Sequence, residues 1–184
     1  MKQLLVLTLL IATASCTSSM LGKKVKEPFQ GRAYESNNRF FRGTGKGESS
    51  QDNIARGKAD IEAKGQLASQ VQTTVKEVTD QYLGQTSNEA AADVADKFQS
   101  LIRETMNTDI ADVRKIGEEK YYNEKEKKYT VFMAYEIKKN AMFRFMRKQA
   151  ELNDKISDKQ KEAMIKIIDE EIKAADEADK EGDK

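Results

Sequence analysis

The sequence predicts a chain of mixed α and β structure, in which long helices flank an antiparallel hairpin and a helical C-terminal extension follows. Three observations carry this expectation. Tyr129, Val131, Met133, Tyr135 and Ile137 alternate with Thr130, Phe132, Ala134 and Glu136, the period-two pattern of a half-buried strand. Long stretches on either side carry apolar or small residues three or four apart, the period of an amphipathic helix. The chain of 184 residues has a single proline, Pro28, and is 34% charged, a composition that favours helices with solvated faces.

The first residues stand apart from this fold. Lys2 supplies a positive start, residues 4–12 form a nine-residue apolar run, and the small residues Thr13, Ala14 and Ser15 lead directly into Cys16. Nine residues cannot cross a hydrocarbon core of about 30 Å, which needs about 20, so residues 1–15 read as a secretory signal peptide. A cysteine at the cleavage point makes this a bacterial lipoprotein signal, with Thr13 where Leu is commonest. In such signals the thiol takes a diacylglycerol and the new amino terminus is acylated. Each buried methylene contributes about 0.8 kcal/mol, so two or three chains anchor firmly where one holds only marginally. The chain is thus expected in the cell envelope, most readily at the outer membrane of a Gram-negative bacterium. The lipid groups on Cys16 are its only expected cofactor. Cys16 is also the only cysteine, which leaves no disulfide once it is lipidated.

The remaining elements follow in order. Residues 16–38 comprise the lipidated cysteine and a segment with no helical or alternating period. Gly22, Pro28, Gly31 and the cluster Lys23, Lys24 and Lys26 mark it as a flexible tether with an r.m.s. reach of roughly 25 Å. Arg39, Phe40, Phe41 and Arg42 start a short strand that is expected to run into a glycine-rich turn at Gly43, Gly45 and Gly47. Ser49 and Ser50 offer N-caps, with Asp52 in capping-box-like spacing. A long helix then stripes Ile54, Ile61, Gly65, Ala68, Val71, Val75, Val78 and Tyr82. Small residues at Ala55, Gly57, Ala59 and Ala63 thin it enough to lie close against a sheet, and Gly84 ends it as a C′ residue. Asn88 caps a second helix striped by Ala91, Val94, Ala95, Phe98, Leu101, Ile102 and Thr105, broken at residues 107–109. An extended segment through Ile110, Val113, Ile116, Tyr121 and Tyr122 pairs with the alternating strand across a charged turn at 123–128. A third helix carries Met142, Phe143, Phe145, Met146, Leu152 and Ile156. Ser157 and Asp158 cap a fourth, striped by Met164, Ile165, Ile168, Ile172 and Ala175, which is expected to fray from Ala174 onward. The organisation read from this is a domain over 39–150, followed by a C-terminal helix and charged tail over 151–184.

Composition excludes several chemistries. Removing the signal takes away only Lys2 from 32 basic residues, leaving 31 against 31 acidic ones, without the basic excess of a nucleic-acid binder. There is no histidine, so a Ser-His-Asp triad, a Cys-His pair and a His-based zinc site are impossible. Glu118/Glu119 and Glu170/Glu171 lie in highly charged stretches and read as solvated faces. Gly43, Gly45, Lys46 and Gly47 are a weak anion-binding candidate: backbone N–H groups before a helix can hold an anion, but the spacing is not that of a P-loop. A nucleotide-using enzyme would have to act there, through Lys46. Phe40, Phe41, Tyr121, Tyr122, Tyr129, Phe132 and Tyr135 fall on one small sheet, either as core pairs or as a platform for a ligand. Met142, Phe143, Arg144, Phe145 and Met146 mix adaptable apolar side chains with basic ones, either as a core helix or as a partner-binding edge.

The stretch from Phe40 through Gly43, Gly45, Gly47, Ser49 and Ser50 into a helix with Ala55, Arg56 and Ala59, followed after two helices by the strand from Tyr129 to Glu136, resembles the LPP-twenty family of small Gram-negative lipoproteins. The resemblance spans about residues 39–150. Glu48 separates Gly47 from Ser49, and Met133 replaces a usual Val. It implies an α+β fold with helices packed on one face of a small antiparallel sheet, an envelope lipoprotein and no catalytic residues. The expectation from all of this is a non-enzymatic, lipid-anchored protein, held to the membrane by its lipid and docking another envelope protein, with no nucleic acid or required small molecule. The alternative is a module binding a glycan, peptide or lipid on the aromatic sheet face.

Overall fold

A computed structural model describes residues 25–85, 89–106 and 112–182. Its elements run β1 (Phe40–Ser49), α1 (Asp52–Gln85), α2 (Glu89–Met106), β2 (Arg114–Asn123), β3 (Lys128–Lys138), α3 (Lys139–Leu152) and α4 (Asp158–Gly182). The strands form one antiparallel sheet in the order β1-β3-β2. The fold is α+β, with helices packed on the sheet.

The β2–β3 hairpin forms where the charged turn was expected. Asn123 Oδ1 accepts the N–H groups of Lys125 at 3.1 Å and Glu126 at 3.2 Å, the local bond that makes Asn a turn residue. Lys127 takes the left-handed conformation at φ 52° that closes the loop. β3 is the central strand and is buried on both faces rather than half-buried. Val131 and Met133 pack under α1, while Phe132 and Ala134 are covered from the other side.

β1 departs from the expected strand-then-turn. It runs unbroken over ten residues and pairs with β3 from Phe40 opposite Lys138 to Ser49 opposite Tyr129. The glycines do not turn the chain; they admit α1. A Cβ at Gly43, Gly45 or Gly47 would come closer than 3.0 Å to the backbone of Ala55, Ala59, Ala63 or Leu67, so only glycine fits these alternate positions.

The matching face of α1 corrects the expected stripe. Ala55, Ala59 and Ala63 are fully buried, and Ile61 is 73% exposed. Leu67, Val71, Val75 and Thr79 continue the same face. Gly84 lies inside the helix rather than beyond it. The N-terminal half of α1 therefore rides on the sheet. Its C-terminal half meets Val94, Phe98 and Leu101 of α2, Met142, Phe143 and Met146 of α3, and Met164, Ile167 and Ile168 of α4 in the main core. The Asn88 cap, Ile110 and the break at 107–109 lie outside the described residues, as do the side chains of Tyr82, Ala91 and Ile102.

α4 begins where Ser157 was expected to cap it. The Ser157 N–H reaches Gln160 Oε1 at 2.9 Å, the reciprocal half of a capping box. The expected fraying from Ala174 does not occur. Helix continues to Gly182, Ala175 and Ala178 are buried, and polar bonds hold this end. Asn140 Nδ2 donates to Asp176 at 2.8 Å and Asp179 at 3.1 Å, and Asp179 also pairs with Arg39 at 3.0 Å and Lys138 at 2.8 Å.

Two glycine substitutions separate these effects. Gly45→Ala places a methyl group into the α1 backbone and should cost about 3 kcal/mol or more. Gly65→Ala, in mid-helix with nothing within 4 Å of a new Cβ, should raise stability by about 0.5–1 kcal/mol. Urea denaturation followed by circular dichroism measures both; equal effects would refute the close-contact account of β1.

Candidate functional site

The sheet face opposite α1 is covered in part by a strap and carries a buried ionic cluster. Residues 25–38, expected as part of a flexible tether, are a strap across this face. Phe29 lies against Gly117, where a Cβ would collide with its ring, and its ring centroid is 5.1 Å from that of Tyr34. Glu27 pairs with Lys46 at 3.2 Å. Ser36 Oγ accepts the Arg42 N–H at 2.9 Å, and Asn37 Oδ1 accepts the N–H groups of Arg39 and Phe40, both at 2.9 Å. The contacts advance from the level of Lys46 to that of Phe40, so the strap runs antiparallel to β1. Pro28 and Phe29 are the signal that separates it from a linker, because an aromatic side chain seeks a surface to cover.

Beside the strap lies Glu136, a buried carboxylate on the central strand. Arg42 Nε donates to its Oε2 at 2.9 Å, and Arg114 Nη2 donates to its Oε1. Arg42 also donates to the carbonyl of Glu35 at 3.0 Å and stands over the Phe40 ring. One carboxylate thus ties β1, β2, β3 and the strap together. Burial alone would push its pKa up, but hydrogen bonds from Arg114 and Arg42 outweigh that and hold it below the ordinary range. A group kept ionised in this way accepts hydrogen bonds but has no proton to give, so it acts as a clasp rather than a general acid. Next to it opens a cavity of about 270 Å³ bordered by Phe40, Asp112, Arg114, Lys138 and Ala141.

A second, more polar groove of about 470 Å³ runs between the strap and α1, lined by Phe29, Gln30, Tyr34, Arg42, Gln66 and Gln70 among others. On the α1 side of the sheet, Tyr135 Oη donates to Asp60 at 2.5 Å. Burial and this bond push the phenol up to about 12.

The candidates named from sequence are distributed as follows. Cys16 lies outside the described residues. Gly43, Gly45 and Gly47 face the α1 backbone, which leaves no room for an anion. Lys46 is held between Glu27 and Glu48, and its N–H is taken by Glu62 at 3.0 Å. The anion-binding reading is therefore corrected: this is a strand packed under a helix and ringed by carboxylates. Met142, Phe143 and Met146 are at most 1% exposed, because α3 turns this face into the main core. Arg144 is exposed and paired with Asp176 at 2.7 Å, and Phe145 is half-buried. The run is a core helix rather than a partner-binding edge. The aromatic residues do not form one platform. Phe41, Tyr129 and Tyr135 lie on the α1 side, whereas Phe40, Phe132 and Tyr121 lie on the other, with Tyr121 and Phe132 edge-to-face at 6.0 Å.

No family model, curated protein or solved structure matches the chain. Among the described residues, no group of three or more acidic side chains is placed to hold a metal ion, and no helix is long and apolar enough to cross a membrane.

The clasp makes a pH-dependent prediction. A carboxyl whose folded pKa is depressed contributes stability that is present above its unfolded pKa and lost as pH falls through its folded one. Glu136→Gln should cost about 2 kcal/mol at neutral pH. The gap to wild type should close between about pH 5 and 3, as read by urea denaturation across that range. A constant gap would show that the charge contributes nothing.

Proposed function

We propose that this chain is a non-enzymatic, lipid-anchored protein of the bacterial cell envelope that docks another envelope protein. The observation that carries the reading is the run from Lys2 through the apolar residues 4–12 to Cys16, a signal that ends at a thiol suited to acylation. Membership of the LPP-twenty family, which the glycine-strand, Ala-rich helix and Tyr-rich strand resemble, is part of this proposal. The fold supports it by committing its buried and partly buried carboxylates to structure. Glu136, Asp60 and Asp179 each join elements of the scaffold. We take the docking surface to be the end where α2 meets the α3–α4 connection. There Leu152 stands 65% exposed beside a groove of about 380 Å³ that includes Leu101, Gln149 and Asn153.

A second reading has one observation in its favour. The strap groove pairs two aromatic rings, Phe29 and Tyr34, with the amides of Gln30, Gln66 and Gln70, side chains suited to stacking on and hydrogen-bonding a glycan. Thermal shift against oligosaccharides tests it.

For the leading reading, a clickable fatty acid fed to cells should label the wild-type chain and not Cys16→Ser, and the variant should wash from membranes without detergent. In-cell crosslinking should join the wild type to a discrete protein, and Leu152→Asp should reduce that product several-fold with unchanged thermal stability. An unlabelled wild-type chain recovered without detergent would end the proposal.

A further inference from the structure

We propose that the tip of the β2–β3 hairpin is a second membrane contact, in which Tyr121, Tyr122, Lys125 and Lys127 rest on the anionic headgroup surface of the bilayer that holds the acyl chains. This rests on the lipid-anchor reading. The strap sets the direction. Its first contacts are at Lys46, on the hairpin side of the sheet, and its last are at Phe40, where α3 begins. The chain therefore enters the fold from the hairpin side. Nine peptide links separate Cys16 from Val25, and they span at most about 30 Å fully extended and about 16 Å as a coil. An acylated Cys16 thus keeps the hairpin end of the sheet within a few nanometres of the headgroups. The main core and helices α2, α3 and α4 lie toward the other end of the sheet.

The tip has the chemistry of an interfacial contact. Tyr121 and Tyr122 are each 51% exposed, and amphipathic Tyr rings are enriched where hydrocarbon meets water. They are held in place by ring contacts, Tyr122 on Tyr129 at 4.6 Å and Tyr121 on Phe132 at 6.0 Å. Lys125 and Lys127 form no ion pair among the described residues, and a surface rich in anionic lipid attracts such cations. Lys23, Lys24 and Lys26 add positive charge along the connecting stretch. Glu124 and Glu126 share the turn, leaving a net charge of only +1 over residues 123–128, so the free tip would bind vesicles poorly. Tethering changes this, because an anchored tip samples the surface at an effective concentration in the millimolar range.

The chain contains no Trp, so Tyr122→Trp is a unique reporter. The full lipidated protein is reconstituted into vesicles of phosphatidylethanolamine and phosphatidylglycerol, or of phosphatidylcholine alone. Flotation reports the anchor, and Trp emission with quenching by brominated lipid reports the tip. The expected result is flotation with both vesicles, and a blue-shifted, quenched Trp that is stronger with phosphatidylglycerol. Lys125→Glu with Lys127→Glu should lower the bound-to-free ratio of the tip about tenfold or more without affecting flotation. Flotation with a solvent-like, unquenched Trp in both vesicles would overturn the proposal and leave the anchor standing. Failure to float would overturn both.

Discussion

The rest of the molecule depends on how closely α1 approaches β1. Hydrophobic burial normally favours large side chains, but here two backbones are brought together by removing them. Gly43, Gly45 and Gly47 face Ala55, Ala59 and Ala63. The gain is contact density: backbone atoms packed at van der Waals distance with no cavity between them. The approach also solves the problem of a sheet edge, whose outward N–H groups need partners. α1 lies near enough for Gln66 to take the Thr44 N–H at 2.6 Å and for Glu62 to take that of Lys46 at 3.0 Å. Ser36 takes that of Arg42. The opposite edge, β2, is protected differently. Half of its ten residues are charged, and its ladder is interrupted by a bulge between Lys115 and Gly117, both of which discourage pairing with another strand.

This contact also explains which parts of the fold could be read in the sequence. β3 and the hairpin were legible because alternation is a local property, and Val94, Ala95, Phe98, Leu101 and Thr105 of α2 fell on one face for the same reason. The buried face of α1 was legible only in part. Ranking residues by hydrophobicity selects Ile54 and Ile61, yet the sheet accepts only alanine there, and that requirement is written in β1 rather than in α1. The glycine strand reads locally as a turn because Gly signals both a bend and a close approach. The strap, the Glu136 clasp and the ordered end of α4 depend on partners far along the chain. Arg42 meets a residue 94 positions away, and Arg39 meets one 140 positions away. Such pairs have no local signature in a chain that is one-third charged.

The buried and partly buried ionic groups have a common task. Each sits where elements of different kind meet and joins them by charge-assisted bonds, which are directional where apolar contact is not. Glu136 joins the three strands and, through Arg42, the strap. Asp60 joins α1 to β3 through Tyr135. Asp179 joins the end of α4 to Arg39 at the start of β1 and to Lys138 at the end of β3, and hydrogen bonds from Lys138 and Arg39 hold its carboxyl below the ordinary range. At the root of α3, Lys139 and Glu171 are half-buried together, the ammonium pushed down and the carboxyl up by loss of solvent. Pairs of this kind contribute little net stability against apolar replacements of equal volume, but removing one partner is costly. Their bonds add direction to a packing whose apolar contacts are non-directional.

The same arrangement makes the molecule two-ended. At 34 residues α1 is about 50 Å long, with its first half on the sheet and its second half in the helical core. It is therefore a rigid strut between the end where the chain enters and the end where α2, α3 and α4 meet. A lipid-anchored protein with a flexible tether of more than twenty residues would place its domain anywhere within the tether's reach. This chain instead fastens residues 25–38 onto the sheet, so that, on the proposed anchor at Cys16, only eight residues would separate the acylated cysteine from Val25 and the domain would take a preferred orientation. On the proposed membrane contact of the hairpin end, the strut would set the helical end a fixed distance from the bilayer. That geometry suits a protein that must present one surface to a partner at a defined height, and it follows from the strap and the length of α1 rather than from any single binding residue.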